Sequence, residues 1–328
     1  MNAKDMYREF AESEESLPIF SQAWWLDATA GVDNWDVVLA TREGQVVASM
    51  PYSRTRRYGM DVIGQPPLTQ KLGPWLRPFS GRNALRLAYE KSLMQELIDK
   101  LPPFDHFAQN WHYTCSNWLP FSWNGFSQTT RYTYVLNDLS DLEKLWTDFE
   151  NSTRAECKKA SNRFRLTIRD DLPLDDFLAL NRMSFTRQGK DPPYSNDFVR
   201  RLDDACTARG CRKYFIAVDE EGRHHAGNYI VWDRNSSYGL MNGADQRFRN
   251  TGGATLCMWA AIQFAATVTR KFDFAGSMIE PVERFFRGFG PTQLPYFSIS
   301  KTPSRLLQVR QGWFAVKQQL EWARSVTQ

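Results

Sequence analysis

A repeated unit limits the folds open to this sequence more than any other feature. Residues 36–50 and 214–230 each place β-branched or aromatic residues on both sides of a charged turn. Each turn ends in a glycine, Gly44 in the first stretch and Gly222 in the second, and glycine supplies the positive φ that a tight hairpin turn requires. The sequence therefore predicts two β-hairpins of the same kind.

The segments that follow the two hairpins also occur in the same order. After each hairpin come an irregular stretch, a helical pattern, a short buried strand and a Gly-Phe pair. We therefore expect two copies of one mixed α/β unit, residues 1–140 and 141–328. The matching segments are 64–81, 83–100, 104–107 and 125–126 in the first copy, and 242–250, 252–268, 272–275 and 288–289 in the second. Further amphipathic helices are predicted over residues 139–151, 175–185, 197–209 and 303–324.

The composition restricts the class of protein. A chain of 328 residues with 42% hydrophobic and 24% charged residues is typical of a soluble globular protein of two domains. The net charge of +4 is too small to indicate a duplex nucleic-acid binder by itself. No apolar run reaches the length of a membrane span, and the N-terminus lacks a secretory signal pattern. The five cysteines lack CxxC spacing, so we expect reduced thiols, no metal site and a cytoplasmic location.

A glycine-containing loop in the second copy is the strongest candidate for ligand binding. The pattern Arg249-x-x-Gly252-x-Ala254 lies between a predicted strand and a long apolar helix. Free amides at a helix N-terminus bind phosphate, and glycine lets the backbone approach it. The alternative is that Gly252 and Gly253 only begin a tightly packed helix. The first copy has three prolines in residues 66–74, so only the second copy is expected to be active. The residues expected to hold the phosphates are Arg249, Thr251, Gly252, Gly253 and Ala254.

This loop resembles the acyl-CoA pyrophosphate motif of the GNAT acyltransferase superfamily. The wider pattern in residues 242–253, 272–277 and 286–290 is similar to one branch, the Fem-type peptidoglycan aminoacyltransferases, as is the basic helix over residues 154–160. The resemblance covers most of residues 150–300. Through the repeat it implies an α/β (α+β) fold of two tandem GNAT-like domains, with mixed sheets flanked by helices.

The resemblance also implies an activity, that of an N-acyltransferase or aminoacyltransferase that moves an acyl or aminoacyl group to an amine. The first domain, residues 1–140, is expected to be degenerate, and the second, residues 141–328, to hold the donor. The expected co-substrate is an acyl-CoA or an aminoacyl-tRNA, with no tightly bound cofactor. The loop favours CoA, whereas the Fem-like flanking segments favour tRNA as donor and partner. The implied acceptor is an amine-bearing small molecule or a cell-wall precursor.

Four residues are candidates for the chemistry: Asp245, Asp273, Arg287 and Tyr296. Asp245 precedes the loop and is either a base or a turn residue that bonds its own backbone. Asp273 lies between two phenylalanines in a strand that should be central, and a buried carboxylate is costly without a partner. This favours a functional or paired role for Asp273. Arg287 stands where the family usually has lysine, and Ala275 where it often has an acidic residue. Arg287 and Tyr296 either contact the acceptor or have ordinary structural roles.

Other polar features have a structural interpretation beside a functional one. The pair His224-His225 falls at a hairpin turn with no cysteine or carboxylate at metal-ligand spacing, so a solvated turn is expected. Lys301 is a weaker candidate for the acceptor site. Two basic groups either form a solvated surface or contact a phosphate-rich ligand. They are Arg154, Lys158, Lys159, Arg163, Arg165 and Arg169 in one segment, and Arg54, Arg56 and Arg57 in the other.

Aromatic residues are abundant, at 14% of the chain with 12 tryptophans. Trp111, Trp118 and Trp123 follow the first copy's Phe-Asp strand, where a cleft between the domains should open. They are therefore expected to line an acceptor site. The rival hypothesis for the whole chain is a non-catalytic protein. In that case both copies have decayed, and the cleft binds a peptide, a sugar or a lipid.

Overall fold

A computed structural model describes residues 2–186, 189–304 and 307–308 of the chain. Almost all of the helix expected over residues 303–324 lies outside these described residues. Within them, no helix combines the length and apolar character needed to cross a membrane.

The strands of the described residues belong to one mixed sheet. They are β1 (Trp35–Arg42), β2 (Gln45–Arg57), β3 (Met60–Gly64), β4 (Trp75–Leu76), β5 (His106–Asn110), β6 (Ser127–Leu136), β7 (Thr167–Arg169), β8 (Arg212–Val218), β9 (His224–Trp232), β10 (Ser237–Ala244), β11 (Phe272–Asp273) and β12 (Thr292–Lys301). Their order across the sheet is β1-β2-β3-β5-β12-β6-β11-β10-β9-β8-β7, and β4 pairs with β2 outside this path.

The pairing of the strands confirms the tandem arrangement of two similar units. Each half contains an antiparallel hairpin, β1–β2 or β8–β9, which continues into a third antiparallel strand, β3 or β10. A helix then returns the chain to a short strand that is parallel to the third one. β5 pairs with β3 at two positions, and β11 pairs with β10 at two positions. The two halves therefore repeat the same fold.

The last strand of each half is shared between the halves. β6 and β12 pair antiparallel with each other, from Ser127↔Ser300 to Val135↔Thr292. β6 also borders β11 of the second half, and β12 borders β5 of the first half. This exchange joins both units into one continuous sheet. The expected domain boundary after residue 140 lies just beyond β6 and stays a prediction.

Helices cover both faces of the sheet in the second half. The helices of the described residues are α1 (Ala3–Ser13), α2 (Ala23–Ala30), α3 (Asn83–Asp99), α4 (Leu119–Trp123), α5 (Leu142–Asp148), α6 (Asn151–Asn162), α7 (Leu174–Thr186), α8 (Asn196–Thr207), α9 (Gly253–Val268) and α10 (Glu280–Arg287). α7 and α8 pack on one face through Phe177 and Leu202, together with Trp25 on α2 of the first half. α9 and α10 pack on the other face through Met258 and Phe286. The first half thus completes the core of the second.

The prediction of a single helix over residues 139–151 is wrong, because the chain forms α5 and α6 with a break between them. Phe149 at the break has an extended backbone. Its buried ring packs edge-on against Trp259 and Phe289, with centroid distances of 5.1 Å to each. Packing of this ring into the core therefore overrides the helical periodicity of the segment.

Candidate active site at the junction of the two halves

The neighbouring strands β10 and β11 separate from each other near the centre of the sheet. They pair at two positions, the second of which joins Tyr238 to Asp273. β10 continues to Ala244, whereas the chain after Asp273 turns towards β6 through Ala275 and Gly276, which have φ of 63° and 73°. A V-shaped opening therefore lies between β10 and the segment after β11. We call it the V opening.

A β-bulge in β10 lies beside the V opening. The register with β9 shifts between Gly239 and Met241, so that Leu240 is an extra residue in β10. An extra residue of this kind is left unpaired and disrupts the ladder locally. The bulge thus places backbone groups without ladder partners next to the V opening.

The loop predicted to bind phosphate follows β10 and leads into α9. A short 3₁₀ turn (Gln246–Phe248) comes first, and Gly252, at φ +80°, then caps α9. A Cβ at Gly252 would collide with the carbonyl oxygen of Glu156 on α6, and a Cβ at Gly253 would lie 3.2 Å from the Cβ of His225. Packing therefore requires glycine at 252 and leaves little room for a side chain at 253. The first amides of α9 also lack acceptors within the helix, as the ends of all helices do.

The side chains of this loop differ in exposure. Arg249 and Ala254 are exposed, whereas Thr251 is buried. The hydroxyl of Thr251 donates to the carbonyl of Phe248 at 2.7 Å and lies 3.0 Å from Nδ1 of His225. The accessible part of the loop consequently includes Arg249 and Ala254, while the Thr251 side chain is engaged within the protein.

The expectation of a solvated turn at His224 and His225 is wrong for His225. Both residues lie in β9, and His225 is buried. Its Nε2 lies 2.8 Å from Oδ2 of Asp219, and its ring stacks on Phe248 with a centroid distance of 4.0 Å. Burial alone would raise the pKa of Asp219, but hydrogen bonds from His225 and Arg223 lower it well below its usual range. A buried Asp–His pair therefore stands behind the loop.

Asp245 occupies the turn between β10 and the loop. Its carboxylate accepts the N–H of Arg247 at 2.8 Å and pairs with the Arg247 guanidinium at 2.7 Å. These bonds, chiefly those of the Arg247 side chain, lower the pKa of Asp245 although it is buried. Its geometry is that of a turn residue that bonds its own backbone.

A buried ion pair closes the narrow end of the V opening. Lys71, in the first-half segment of residues 66–74, places Nζ 2.7 Å from Oδ2 of Asp273, and the two side chains are 1% and 0% exposed. Oδ1 of Asp273 accepts the hydroxyl of Thr133 at 2.5 Å and the N–H of Ala275 at 2.8 Å. Asp273 is therefore paired. Sequence reasoning missed Lys71, because 202 residues separate it from Asp273 and no local pattern links them.

Among the other chemical candidates, Tyr296 lies beside this pair and Arg287 does not join it. The centroid of the buried Tyr296 ring is 5.3 Å from Nζ of Lys71. Arg287 is half-exposed and pairs with Glu150 at 2.7 Å and with Glu283 at 3.2 Å. The structure thus brings together Asp273, Tyr296 and Lys71.

Two cavities border the first-half loop that carries Lys71. The amino-end cavity, of about 440 Å³, lies at the amino ends of β10 and β11, where His112, Tyr238 and Lys271 line it. Burial, and then the charge of Lys71, lower the pKa of His112 to about 4. Its imidazole is therefore neutral at neutral pH.

The carboxyl-end cavity, of about 920 Å³, borders the preceding part of the same loop, residues 64–70. Its second-half wall includes Pro193 and Tyr194, between α7 and α8. Tyr194 donates to Asn181 at 3.2 Å, and Asn181 donates to the carbonyl of Asn242 at 2.7 Å. These two hydrogen bonds link the Tyr194 wall of the cavity to the backbone near the carboxyl end of β10. Three basic residues also line it: Arg54, Arg56 and Arg57.

The structure does not gather the three tryptophans that were expected to line an acceptor site. Trp111 is 0% exposed and packs edge-on against Phe121 in the first-half core, with the rings 4.7 Å apart. Trp118 packs against the same core, and Trp123 is 64% exposed. The next residue after Trp111, His112, does line a cavity. The prediction found a cavity-lining segment and chose the wrong side chains in it.

Much of the basic run near α6 is engaged within the protein. Arg154 donates to the carbonyl of Thr147 at the end of α5, and Lys159 pairs with a glutamate on its own helix. Lys158 is exposed. Lys301, the weaker acceptor-site candidate, donates to a backbone carbonyl at 2.7 Å. The structural interpretation therefore accounts for Arg154, Lys159 and Lys301.

Both the sequence and the fold are similar to known acyltransferases. Residues 138–287 match the family model described as an acetyltransferase (GNAT) domain. None of the curated protein sequences matches the chain.

Three solved structures show the same fold along most of their length. One is FemX, with a TM-score of 0.64 and 12% identity over 90% of this chain and 96% of that chain. Another is the C-terminal domain of a putative lysylphosphatidylglycerol synthetase from Agrobacterium fabrum, with a TM-score of 0.55 and 12% identity over 92% of each chain. The third is a tandem GNAT protein from the clavulanic acid biosynthesis pathway, with a TM-score of 0.50 and 11% identity over 90% of this chain and 92% of that chain.

Proposed function

We propose that this protein transfers an acyl or aminoacyl group to an amine, because residues 138–287 match the GNAT acetyltransferase domain and the described residues have a Fem-like tandem GNAT fold. The donor's phosphates bind at residues 249–254, its acyl group enters the V opening, and the acceptor occupies the carboxyl-end cavity. The observation that carries this proposal is the separation of β10 from β11, because the loop of residues 249–254 follows the carboxyl end of β10. Ligands commonly bind where the carboxyl ends of parallel strands separate.

The proposed reaction needs positioning and charge stabilisation more than a reactive side chain. The amine nitrogen forms a bond to the acyl carbon, and the bond from that carbon to the donor's sulfur or oxygen breaks. The amine loses a proton, and the departing sulfur or oxygen takes up a proton, so that the donor is released as a free thiol or hydroxyl. The tetrahedral intermediate carries negative charge on oxygen, which backbone N–H groups stabilise well. The unpaired backbone at the Leu240 bulge lies beside the V opening and is the proposed donor to that oxygen.

Within this proposal, Asp273 positions Lys71 and does not act as a free base, because both of its carboxylate oxygens already accept hydrogen bonds. The ammonium of Lys71 then supplies a fixed positive charge at the narrow end of the V opening, beside Tyr296. We assign structural roles to Asp245 and Arg287, since their charged groups are engaged by neighbouring side chains.

The donor is proposed to be an acyl-CoA or an aminoacyl-tRNA, because Arg249 and the free amides of α9 suit the phosphates of either one. The arginine wall of the carboxyl-end cavity suits an acceptor that carries phosphate as well as an amine. A pyrophosphate-linked cell-wall precursor has this chemistry. The fold shared with FemX and with a lysylphosphatidylglycerol synthetase supports a role in the cell envelope.

Isothermal titration of the folded protein with acetyl-CoA, longer acyl-CoAs and aminoacyl-tRNA tests the donor site. We expect one of them to bind, and Arg249→Ala to weaken that binding about tenfold, the effect of losing one charge-assisted contact of about 1.4 kcal/mol. Arg82→Ala is the matched control, because Arg82 is an exposed arginine that precedes α3 in the first half. Absence of binding to all three donors, with folding verified by circular dichroism, overturns the proposal.

One observation favours the non-catalytic alternative. The buried pair of Lys71 and Asp273 occupies the narrow end of the V opening, where an acyl carbonyl would approach. Mass spectrometry of reactions with the bound donor and a panel of amines separates the two functions. An acylated amine that requires the enzyme supports transfer, whereas tight binding without any product supports the binding protein.

A further inference from the structure

The segment from Asp245 to Gly252, which we call the donor loop, contacts one buried residue, His225, at its start, middle and end. The N–H of Asp245 donates to the carbonyl of His225 at 3.0 Å. The ring of Phe248 stacks on the imidazole, with the planes inclined by 10°. The hydroxyl of Thr251 lies 3.0 Å from Nδ1. Other hydrogen bonds of the loop are local, for example those from the N–H of Phe248 to Asp245 and from the N–H of Thr251 to Phe248.

His225 is itself held in one orientation from its other side. Nε2 bonds Oδ2 of Asp219 at 2.8 Å, and this directs Nδ1 towards the loop. Asp219 is fixed in turn, because it accepts the N–H groups of Glu221 and Arg223 at 3.1 and 2.8 Å and the Arg223 guanidinium at 2.7 Å. A continuous chain of contacts therefore runs from the β8–β9 turn through His225 to the loop.

The internal repeat supplies a comparison for this arrangement. Both hairpins have a β-bulge at the same place, and the extra residue is Val47 in β2 and His225 in β9. Bulges re-aim a side chain. The first half has valine at this position and three prolines in its loop of residues 66–74, whereas the second half has histidine and the loop with Gly252. The polar bulge residue thus accompanies the phosphate-type loop.

We propose that His225 is a positioning residue that holds the donor loop in its binding conformation, an inference that rests on the proposed donor site. His225 is 4% exposed, so it acts through Thr251, Phe248 and the backbone of Asp245 and does not touch the donor. Asp219 is a second positioning residue that acts through His225. Loss of either residue loosens the loop and weakens donor binding, while the chemical step at the V opening is retained.

Hydrogen–deuterium exchange without any donor tests the positioning claim by itself. In His225→Leu we expect the peptide over residues 245–256 to exchange at least about tenfold faster, because its anchoring contacts are lost. His225→Gln restores part of the protection, since an amide can still bond one neighbour. The matched control is His224→Leu, a change at the adjacent, half-buried histidine of the same strand, which leaves the exchange unchanged. Unchanged exchange in His225→Leu overturns the inference.

Steady-state kinetics provides the second readout. The donor KM is expected to rise about tenfold in His225→Leu and about threefold in Asp219→Asn, with kcat and the acceptor KM within about twofold of wild type. A variant that loses kcat with an unchanged donor KM shows a general structural defect and overturns the inference. If His225→Leu does not fold, Asp219→Asn carries both measurements. If the wild-type protein binds no donor, the proposed function fails, and the exchange experiment still decides whether His225 positions the loop.

Discussion

The ion pair of Lys71 and Asp273 allows a quantitative test of how the two halves join. Removing one partner of a buried pair costs about 3–5 kcal/mol, because the other charge stays buried without compensation. The two partners are not equivalent here. After Lys71→Met, the carboxylate keeps the Thr133 hydroxyl and the Ala275 N–H as donors. After Asp273→Asn, the ammonium keeps the Thr133 oxygen at 3.2 Å and a neutral amide. We therefore expect losses of about 3 kcal/mol and about 4–5 kcal/mol, respectively.

Urea unfolding followed by tryptophan fluorescence measures these losses, and the double variant completes a mutant cycle. The double variant leaves no buried charge. Its loss of unfolding free energy is therefore expected to be smaller than the sum of the two single losses by about 2–3 kcal/mol. Lys100→Met is the matched control, because Lys100 pairs with Glu96 at 2.8 Å on the surface. Its expected cost is below about 1 kcal/mol.

One pattern of unfolding free energies would contradict a buried ion pair between Lys71 and Asp273. If Lys71→Met and Asp273→Asn both unfold within about 0.5 kcal/mol of the Lys100→Met control, the charges are solvated and the pair is not buried as described. A coupling energy near zero in the mutant cycle would contradict the direct contact between the two side chains.

Substitutions at Gly252, His112 and Trp111 are expected to change stability in different ways. Gly252→Ala is expected to lower the free energy of unfolding in urea by at least about 3 kcal/mol, and Gly222→Ala by about 1 kcal/mol. Both glycines have positive φ, which strains an alanine. The Cβ position at Gly222 is open, whereas a Cβ at Gly252 collides with the carbonyl of Glu156. The pKa of His112 is lowered from 6.5 to about 4 by burial, so the unfolded chain binds the proton first and stability falls as the pH drops from about 6.5 to about 4. His112→Gln should remove about 1–2 kcal/mol of that loss, measured by urea unfolding at pH 7 and pH 5, and an equal pH dependence in both proteins contradicts this. Trp111→Ala should cost about 3–5 kcal/mol, because its ring is fully buried, and an unchanged melting temperature would show that the ring lies outside the core.

Sequence reasoning found the elements whose signal is local. Both hairpins, their glycine turns and the helices after them follow from patterns within about twenty residues, and the structure has them at residues 35–57, 83–99, 212–232 and 253–268. What it missed depends on contacts between distant segments. Lys71 contacts Asp273 only because the two halves of the chain pack together, and hydrophobic periodicity does not predict contacts between distant segments. His225 was misplaced in a turn, since the bulge that buries it depends on the pairing of β8 with β9.

The first half of the chain contributes structure to the V opening of the second half. Its loop of residues 66–74 follows β3 as the donor loop follows β10, and its three prolines cannot provide phosphate-binding amides. That same segment supplies Lys71 to the narrow end of the V opening in the second half. β6 of the first half also forms one edge of that opening, because it pairs with β11. Under the proposed function, the copy that lacks the donor loop therefore contributes residues to the site of the other copy. The structural reason to retain both copies is that neither the charge at the V opening nor its β6 wall comes from the second half.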